Sequence, residues 1–551
     1  MPRAPSIEVG SGERPDLAVL SFYGRPVGIK LSLRHRRPRW PYCSRPWCPN
    51  NMAYMEGPGV YVPATRPSSV GGRVRVYAFG STASRAILSL APGLLSPGGI
   101  HGAFRARLHR LVTWAAQRMV GLEPLPASRA QADRVSPAEV VEVEAQGRVL
   151  VVGGGLAGIR AALEAARHGL RVILVEQFRR LGGFLRLVGG EHARRVSELE
   201  SLASRARVTV LDDSTYIGYY DEGHAVLSGS RVLVARKIPV VYAGGSEAPP
   251  PLTTGNDLPG LVSSQYALEL SSLGYTPRRA AVIGDGPWAL EVAEALAGRG
   301  SRVYIVSRKP PPTARAEPVE SSSVELAGSG RVEKVRTSER TIEVDLAVSA
   351  VDEYPDASPV YGAGYRPAFY PSLECFGPEP LRADFSWILD RALVIPAGSS
   401  TCENSVEAVE ASGALAGAMA AWISGKASEE DVAAAMDEYE RHSSRGAPSS
   451  HAIAGRPRAW VSAGVGGLQY VDLEEDITLA DLLEAWDRGY NSMEKIKRAT
   501  GLGTGLDQGR FSAVTAALVL SHVKGVPAES IGLFKSRPPH TLLDVGLLGG
   551  G

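Results

Sequence analysis

The sequence predicts an α/β protein with two Rossmann-like dinucleotide folds, one inserted in the other, a small β-rich module in front and a helical domain behind. Three observations predict it. "RVLVVGGGLAGIRAALEAARHGLRVILVEQ" reads as a strand, a glycine turn, an amphipathic helix and a second strand closing on Glu176. "RRAAVIGDGPWALEVAEALAGRGSRVYIVSRK" repeats the plan from Arg278 to Lys309. "ALVIPAGSSTCENSVEAVEASGALAGAMAAWISG" then returns with a short strand at Ala397-Gly398 and a long helix of small residues, as a closing segment of the first fold would.

The chain divides by its punctuation. Residues 1–86 form the β-rich module, in which "LAVLSFYG" and "GVYVPAT" read as strands between turn residues. Residues 87–146 read as a helical connection with Pro-Gly breaks. The first dinucleotide fold takes 147–276 and 345–430, the inserted second fold 277–344, and the helical domain 431–551. A length of 551 residues asks for several cores of ordinary size.

Composition excludes some classes of function. Apolar residues at 44% and charged residues at 21% are those of a folded globular protein, neither disordered nor fibrous. The net charge is +2, with cations spread out except in "RHRRPR", which leaves no footprint for a nucleic-acid partner. The opening "MPRAPSIEVGSGERPD" has no apolar signal core and apolar stretches stop short of spanning length, so the expectation is a cytoplasmic protein without membrane contact. Cys43, Cys48, Cys375 and Cys402 are too scattered for a disulfide framework, in agreement with a reducing compartment. Scarce Asn and Gln beside abundant Arg and Pro suit a thermophile, although GC-rich coding gives the same bias. Ten histidines lack metal-ligand spacing, and no Cys-x-x-Cys pair lies near the first fold to make a disulfide reductase.

The glycine fingerprints carry the chemistry. Gly153 allows the tight turn, Gly155 lets the backbone approach a pyrophosphate, and Gly158 lets helix and strand pack closely. Glu176 closes the second strand, where a carboxylate accepts both hydroxyls of an adenosine ribose. Leu181-Gly182-Gly183 follows either as a plain turn or as a glycine pair clearing space beside a flavin dinucleotide. The second unit has Gly284 and Gly286 with Ala289 in the third place, and its second strand ends in Ser307-Arg308-Lys309. Arg308 suits the 2′-phosphate of NADP(H), while Pro287 and Trp288 crowd the turn and suit an empty structural fold.

"TGLGTGLDQGR", Thr500 to Arg510, raises the question of a phosphate cradle. A P-loop needs a strand before its glycines and Gly-Lys-Ser/Thr after them; this loop follows a helix and ends Gln-Gly-Arg. The paired acids Glu474-Glu475 read as a solvated face.

"YVDLEEDITLADLLEAWDRGYNSMEKIKRATGLGTGLDQGR" resembles the small helical domain related to bacterioferritin-associated ferredoxin (BFD-like). Cluster-binding members hold a [2Fe-2S] centre on four cysteines, and residue by residue those places are Asp472, Glu474, Asp507 and Ser512 here. Hard oxygen donors do not replace thiolates at such a centre, so the resemblance implies a frame without an iron–sulfur cluster. "VD…DIT" and "DQGR" occur in the cluster-free version carried by the α subunit of heterotetrameric sarcosine oxidase, a family that the chain resembles more widely. "RHRRPRWPYC" with the later "PNN" resembles its ferredoxin-like N-terminal segment, here abridged, and "AGGSEAPPPLTTGNDLPG" its link into a pyridine nucleotide-disulfide reductase-like inserted fold. "RPPHTLLDVGLLGG" resembles its junction beyond the helical domain. In the family an aminomethyltransferase-like domain follows that junction, and related archaeal proline dehydrogenase α subunits end near it. Cys43-x₄-Cys48 supplies only two candidate ligands, so both read as plain thiols.

The resemblance implies a nucleotide-binding subunit with no catalytic base, nucleophile or metal ligand of its own. NAD or FAD, or else ATP, would lie at Gly153 to Glu176, and FMN at the contact with a β subunit. That flavoprotein partner would oxidise sarcosine or a related secondary amine, and small subunits or a separate aminomethyltransferase-like chain would complete the assembly. Two alternatives stay open: a stand-alone NAD(P)H-dependent FAD reductase, and a scaffold subunit with both folds vacant.

Overall fold

The computed structural model describes residues 6–29, 39–45, 47–77, 137–220, 223–380, 388, 391–443, 468–543 and 547. They form two compact units, one drawn from Met1–Arg134, Ala248–Asp352 and Gly455–Gly525, the other from Val135–Glu247, Glu353–Ala454 and Val526–Gly551.

The unit with the first glycine motif is built on a parallel sheet in the order Val394–Pro396, Val240–Tyr242, Arg148–Val152, Arg171–Val175, Val208–Leu211. Val149, Leu150 and Val151 are buried without alternation, as strands covered on both faces require. Helices Leu156–Arg167 and Val406–Ile423 pack on this sheet and on each other. Their approach explains the small residues of the long helix. A Cβ on Gly413 would stand 2.3 Å from the carbonyl oxygen of Ala157, and one on Gly417 2.5 Å from that of Ala161. Among the described residues, Val406–Ile423 is the helix long and apolar enough to cross a membrane, and it is mostly buried in this packing.

The closing strand is Val394–Pro396 instead of Ala397-Gly398, because its partner Val240–Tyr242 pairs in register with those three residues. Ala397 only leads into the turn Gly398–Thr401. The valine-rich segment Glu139–Val143 corrects the end of the expected helical connection: it is a strand, parallel to Arg231–Ala235 of an antiparallel meander with Ser214–Tyr220 and Gly223–Ser228. The expected helices of 87–136 lie outside the described residues. Cys375 and Cys402, read as too scattered for a disulfide framework, form one disulfide, packed against Tyr370. Disulfides persist in oxidising compartments and inside hyperthermophile cells.

In the other unit the second motif belongs to a parallel sheet ordered Leu261–Ser263, Leu346–Ser349, Arg279–Ile283, Arg302–Ser307, Glu317–Glu320. The inserted segment therefore spans Ala248–Asp352, wider than 277–344, since Leu261–Ser263 pairs with Leu346–Ser349. The N-terminal module is an antiparallel sheet of Ser6–Val9, Gly72–Tyr77, Met52–Glu56 and Val60–Pro63. "LAVLSFYG" is not its strand but most of a helix, Pro15–Tyr23. Pro15 fits the first helical turn, Asp16 favours its positive end, and Gly24 closes it in the left-handed conformation at φ 64°.

Of the expected helical domain 431–551, Leu479–Asp487, Met493–Thr500 and Ser512–Lys524 lie in this unit, whereas Glu429–His442 and the residues from Val526 belong to the first-fold unit. The buried guanidinium of Arg39 ties two other segments to its own here. It donates to the carbonyl oxygen of Asp257 at 3.2 Å, pairs with Asp476 and lies 5.4 Å from the ring centre of Tyr470. Cys43 and Cys48 are both buried, and the Cys43 N–H donates to Cys48 Sγ at 2.6 Å.

Candidate functional site

The strand Arg148–Val152 lies between Val240–Tyr242 and Arg171–Val175, so connections leave it in opposite directions. Crevices of open α/β sheets form at the carboxyl ends of strands at such a switch point. Three glycines make the turn that follows, for different reasons. Gly153 has φ +99°, and a Cβ there would stand 2.1 Å from the carbonyl oxygen of Ala243. A Cβ on Gly158 would stand 1.8 Å from the carbonyl oxygen of Gly153. Gly155 is unlike both: its φ of −75° suits any residue, and no atom lies within 4 Å of where its Cβ would be. Packing does not demand a glycine at 155. A phosphate approaching the backbone would.

Helix Leu156–Arg167 starts with Gly155 as its N-cap and has no side-chain cap, so its leading N–H groups keep the character of an anion site. Buried Glu176 is held on the same turn. Its Oε2 accepts the Gly154 N–H at 2.7 Å, and its Oε1 accepts the Phe178 N–H at 2.9 Å. The Leu181–Gly183 loop joins them: the Gly182 N–H donates to the Gly154 carbonyl at 2.7 Å, and a Cβ on Gly183 would stand 3.5 Å from the Cα of Gly155. Gly182 sits at φ +106° with Val196 in the way of any Cβ, at 2.4 Å. Gly153, Gly155, Gly158, Glu176, Gly182 and Gly183 thus converge on one crevice.

Two further strand ends close the turn, neither of which the sequence marks as part of the site. Ala243 backs Gly153, and Gly398, at φ +68°, leaves no room for a Cβ beside Ala157, 2.7 Å away. Their signal was a short apolar run followed by glycine, "VVYAGG" and "LVIPAG", at two more strand ends of the same sheet.

The second motif is built differently. A Cβ on Gly284 would stand 2.4 Å from the Cα of Val351, and one on Gly286 2.6 Å from the carbonyl oxygen of Ala350. Gly286 therefore faces the protein's own backbone where Gly155 faces open space. The helix begins at Ala289, after Pro287, which has no N–H, and Trp288. The second turn accordingly offers fewer helical N–H groups to an anion. Arg308 and Lys309 are exposed beyond the strand Arg302–Ser307.

The glycine loop Thr500–Arg510 wraps carboxylates. Asp472 Oδ1 accepts the N–H groups of Glu474 at 2.9 Å and Glu475 at 3.0 Å, and its Oδ2 accepts that of Gly503 at 2.8 Å. Glu474 Oε2 accepts the Asp507 N–H at 3.0 Å, and Asp507 Oδ1 accepts the Gly509 N–H at 2.8 Å. Gly505 lets Glu474 in, for a Cβ there would stand 2.3 Å from its Oε2. Glu474 is buried, which corrects its reading as part of a solvated face. Its sequence neighbours look polar, and its cover comes from a loop 33 residues away. Burial, and the neighbouring carboxyls after it, push both Glu474 and Asp507 upward in pKa. Asp472, Glu474, Asp507 and Ser512 are all buried around this loop. The oxygens of Asp472, Glu474 and Asp507 already take backbone N–H groups, and all four side chains are hard oxygen donors, so they do not fit an iron–sulfur cluster. Among the described residues no group of three or more His, Cys, Asp or Glu is arranged to hold a metal ion.

Comparison with known proteins agrees with this architecture. Residues 147–367 match the pyridine nucleotide-disulphide oxidoreductase family, and residues 466–551 match the sarcosine oxidase A3 domain. Residues 147–367 therefore carry the fold of the FAD/NAD-binding oxidoreductase class. Within that class the chain is a homologue of the sarcosine oxidase α subunit. It is 28% identical to "Sarcosine oxidase subunit alpha" of Corynebacterium sp. (strain U-96) over 75% of this chain and 46% of that protein. The protein of the same name from Rhizobium meliloti (strain 1021) is 26% identical over 73% of this chain and 42% of its own length. The chain thus spans a little under half the length of these curated relatives. In fold it is similar to L-proline dehydrogenase from P. horikoshii, with a TM-score of 0.69, 21% identity and coverage of 100% of this chain and 98% of that one.

Proposed function

We propose that this chain is the nucleotide-holding subunit of a heteromeric, flavin-dependent amine oxidoreductase of the sarcosine oxidase type. Oxidation of a secondary amine, sarcosine or a relative such as proline, takes place at a flavin on a partner β subunit. The observation that carries the reading is Gly155, a glycine that the fold does not need, opening on empty space at an uncapped helix start.

Phosphates of NAD, FAD or ATP would lie against Gly153, Gly155 and Gly158, with Glu176 toward the ribose and Gly182-Gly183 beside them. An FMN at the contact with the β subunit would carry the electrons away. This chain's residues bind, orient and exclude water; no base or nucleophile is assigned to them. Nor is a cluster assigned to the Asp472, Glu474, Asp507 and Ser512 frame, since its donors do not suit one. Small subunits or a separate aminomethyltransferase-like chain would be further partners, in the cytoplasm of a cell that tolerates the Cys375–Cys402 disulfide.

The stand-alone reductase needs nicotinamide in the second fold as well. Exposed Arg308 favours that reading, and the backing of Gly286 by Ala350 speaks against it. The scaffold reading leaves Gly155 without a reason. The decisive experiment is purification of the chain alone and with its flavoprotein partner. A lone chain that binds an adenine nucleotide without oxidising NAD(P)H, and that supports amine dehydrogenation once the partner is added, bears the proposal out. NAD(P)H oxidation by the lone chain overturns it in favour of the reductase, and failure to bind any of NAD, FAD or ATP in favour of the scaffold.

A further inference from the structure

Away from the nucleotide crevice, the first-fold unit carries an open groove of about 630 Å³ between helices Leu156–Arg167 and Gly190–Arg205 and the start of Val406–Ile423. Its floor is aliphatic. Leu199 is buried, Leu163 half-buried, and Leu202 is 52% exposed, unusual for a leucine on a helix whose other leucine packs inward. Five arginines rim it: Arg160, Arg167, Arg195, Arg205 and Arg207. Three carboxylates answer them, Glu198 by pairing with Arg195 at 3.6 Å. Glu410 pairs with Arg195 at 2.6 Å and lies 3.9 Å from Arg160, and Glu164 pairs with Arg160 at 3.4 Å and also with Arg167. Arg205 and Arg207 have no ion-pair partner among the described residues. They flank the entry to Val208–Leu211, the edge strand of the parallel sheet, where Val210 is 40% exposed.

Excess guanidinium charge beside an exposed aliphatic floor asks for a ligand that is acidic and greasy at fixed spacing. A small anion would use the arginines and leave Leu202 wet. A polypeptide supplies a carboxylate and an aliphatic anchor together, and arginine beside apolar surface is characteristic of protein interfaces. We propose that this groove docks an acidic segment of a partner polypeptide, with an aliphatic side chain over Leu202 and carboxylates on Arg205 and Arg207.

The test uses the full chain and a fluorescein-labelled amphipathic helical peptide of about 15 residues, roughly 22 Å long, carrying a leucine ridge and glutamates elsewhere. Anisotropy should report saturable binding that weakens at least tenfold as salt rises from about 50 mM to about 0.5 M, because exposed charge pairs are screened. The combined Leu202→Asp, Arg205→Glu, Arg207→Glu variant alters exposed positions only. It should keep the parent's circular dichroism and melting point, and lose binding at least tenfold. The proposal is overturned if the peptide does not bind or if this variant binds it as well as the parent. Equal binding of a leucine-free peptide would reduce the groove to bare charge attraction and overturn it too. Tighter, variant-sensitive binding to phosphatidylglycerol vesicles than to the peptide would assign the groove to lipid instead.

Discussion

Glu176 accepts the backbone N–H of Gly154 at 2.7 Å, so the acid that ends one strand is fastened to the glycine turn that ends its neighbour. The bond sets the carboxylate before any nucleotide arrives. Replacing Glu176 with Gln keeps its shape but turns an N–H group toward an N–H group. We expect adenine-nucleotide affinity to fall at least about tenfold, or about 1.4 kcal/mol, with a stability loss of about 1–3 kcal/mol from the unsatisfied donor. Titration calorimetry checks the first figure and urea unfolding the second. Unchanged affinity would remove Glu176 from the site.

Gly155 and Gly158 make a pair of opposite tests. Valine at 155 meets open space and an allowed backbone, so the protein should fold and melt normally while its nucleotide affinity drops by two orders of magnitude or more. Valine at 158 would drive a side chain into the carbonyl of Gly153, 1.8 Å from its Cβ, and the chain should be insoluble or lose its cooperative melt. If the 155 variant binds as the parent does, the phosphate reading of this turn fails.

His224 should make the first-fold unit acid-sensitive. Its Nε2 lies 2.9 Å from the carbonyl oxygen of Ala392, which can only accept, so Nε2 carries the proton and Nδ1 accepts from the Tyr216 hydroxyl at 3.0 Å. Burial lowers its pKa to about 4. The unfolded chain then binds a proton that the folded one refuses, and stability is lost as pH falls from about 6.5 toward 4. His224→Gln should flatten that loss, in the difference between parent and variant urea midpoints at the two ends of the range.

Asp507 and Glu474 predict the reverse trend for the other unit. Their folded-state pKa values are raised by burial and then by carboxyl neighbours, Asp507 beside Glu474 and Asp472 beside Asp507, so the folded chain holds protons that the unfolded chain releases. Stability contributed at low pH is lost as pH climbs from the ordinary carboxylate range through the raised values, by up to about 1.4 kcal/mol per pH unit for each proton. Asp507→Asn should therefore gain on the parent as the buffer moves from acid to neutral. A parent and variant that keep a constant gap would show that these carboxyls titrate normally.

The disulfide of Cys375 and Cys402 closes a loop of 27 residues, for which chain entropy gives a stabilisation of about 3–4 kcal/mol. Replacing both cysteines with alanine should lower the melting temperature of that unit accordingly, with nucleotide binding intact. An equal melting temperature with and without reductant would mean that the bond does not form in solution.

The two strand–glycine–helix–strand units were legible because every signal in them is local: apolar runs, a turn and a helical period within some thirty residues. What escaped depended on distant partners. Val394–Pro396 is a strand only because Val240–Tyr242 accepts it, and the bond between Cys375 and Cys402 depends on a fold that brings them together. Glu474 looked solvated because the loop that buries it arrives 33 residues later. The helix Pro15–Tyr23 was misread since "LAVLSFYG" is aliphatic and aromatic enough for a strand, whereas its proline start and glycine stop carried the better signal.

Gly413 and Gly417 have a consequence for how this chain is made. The helix that carries them seats on Leu156–Arg167 across some 250 intervening positions, and ribosomes add about 5–20 residues per second, so the nascent first helix waits on the order of tens of seconds for its cover. During that wait Ala157 and Ala161 present bare backbone and small side chains to whatever is nearby. Until that cover arrives, the inner face of the first helix is the part of the nascent chain that this crossing leaves open.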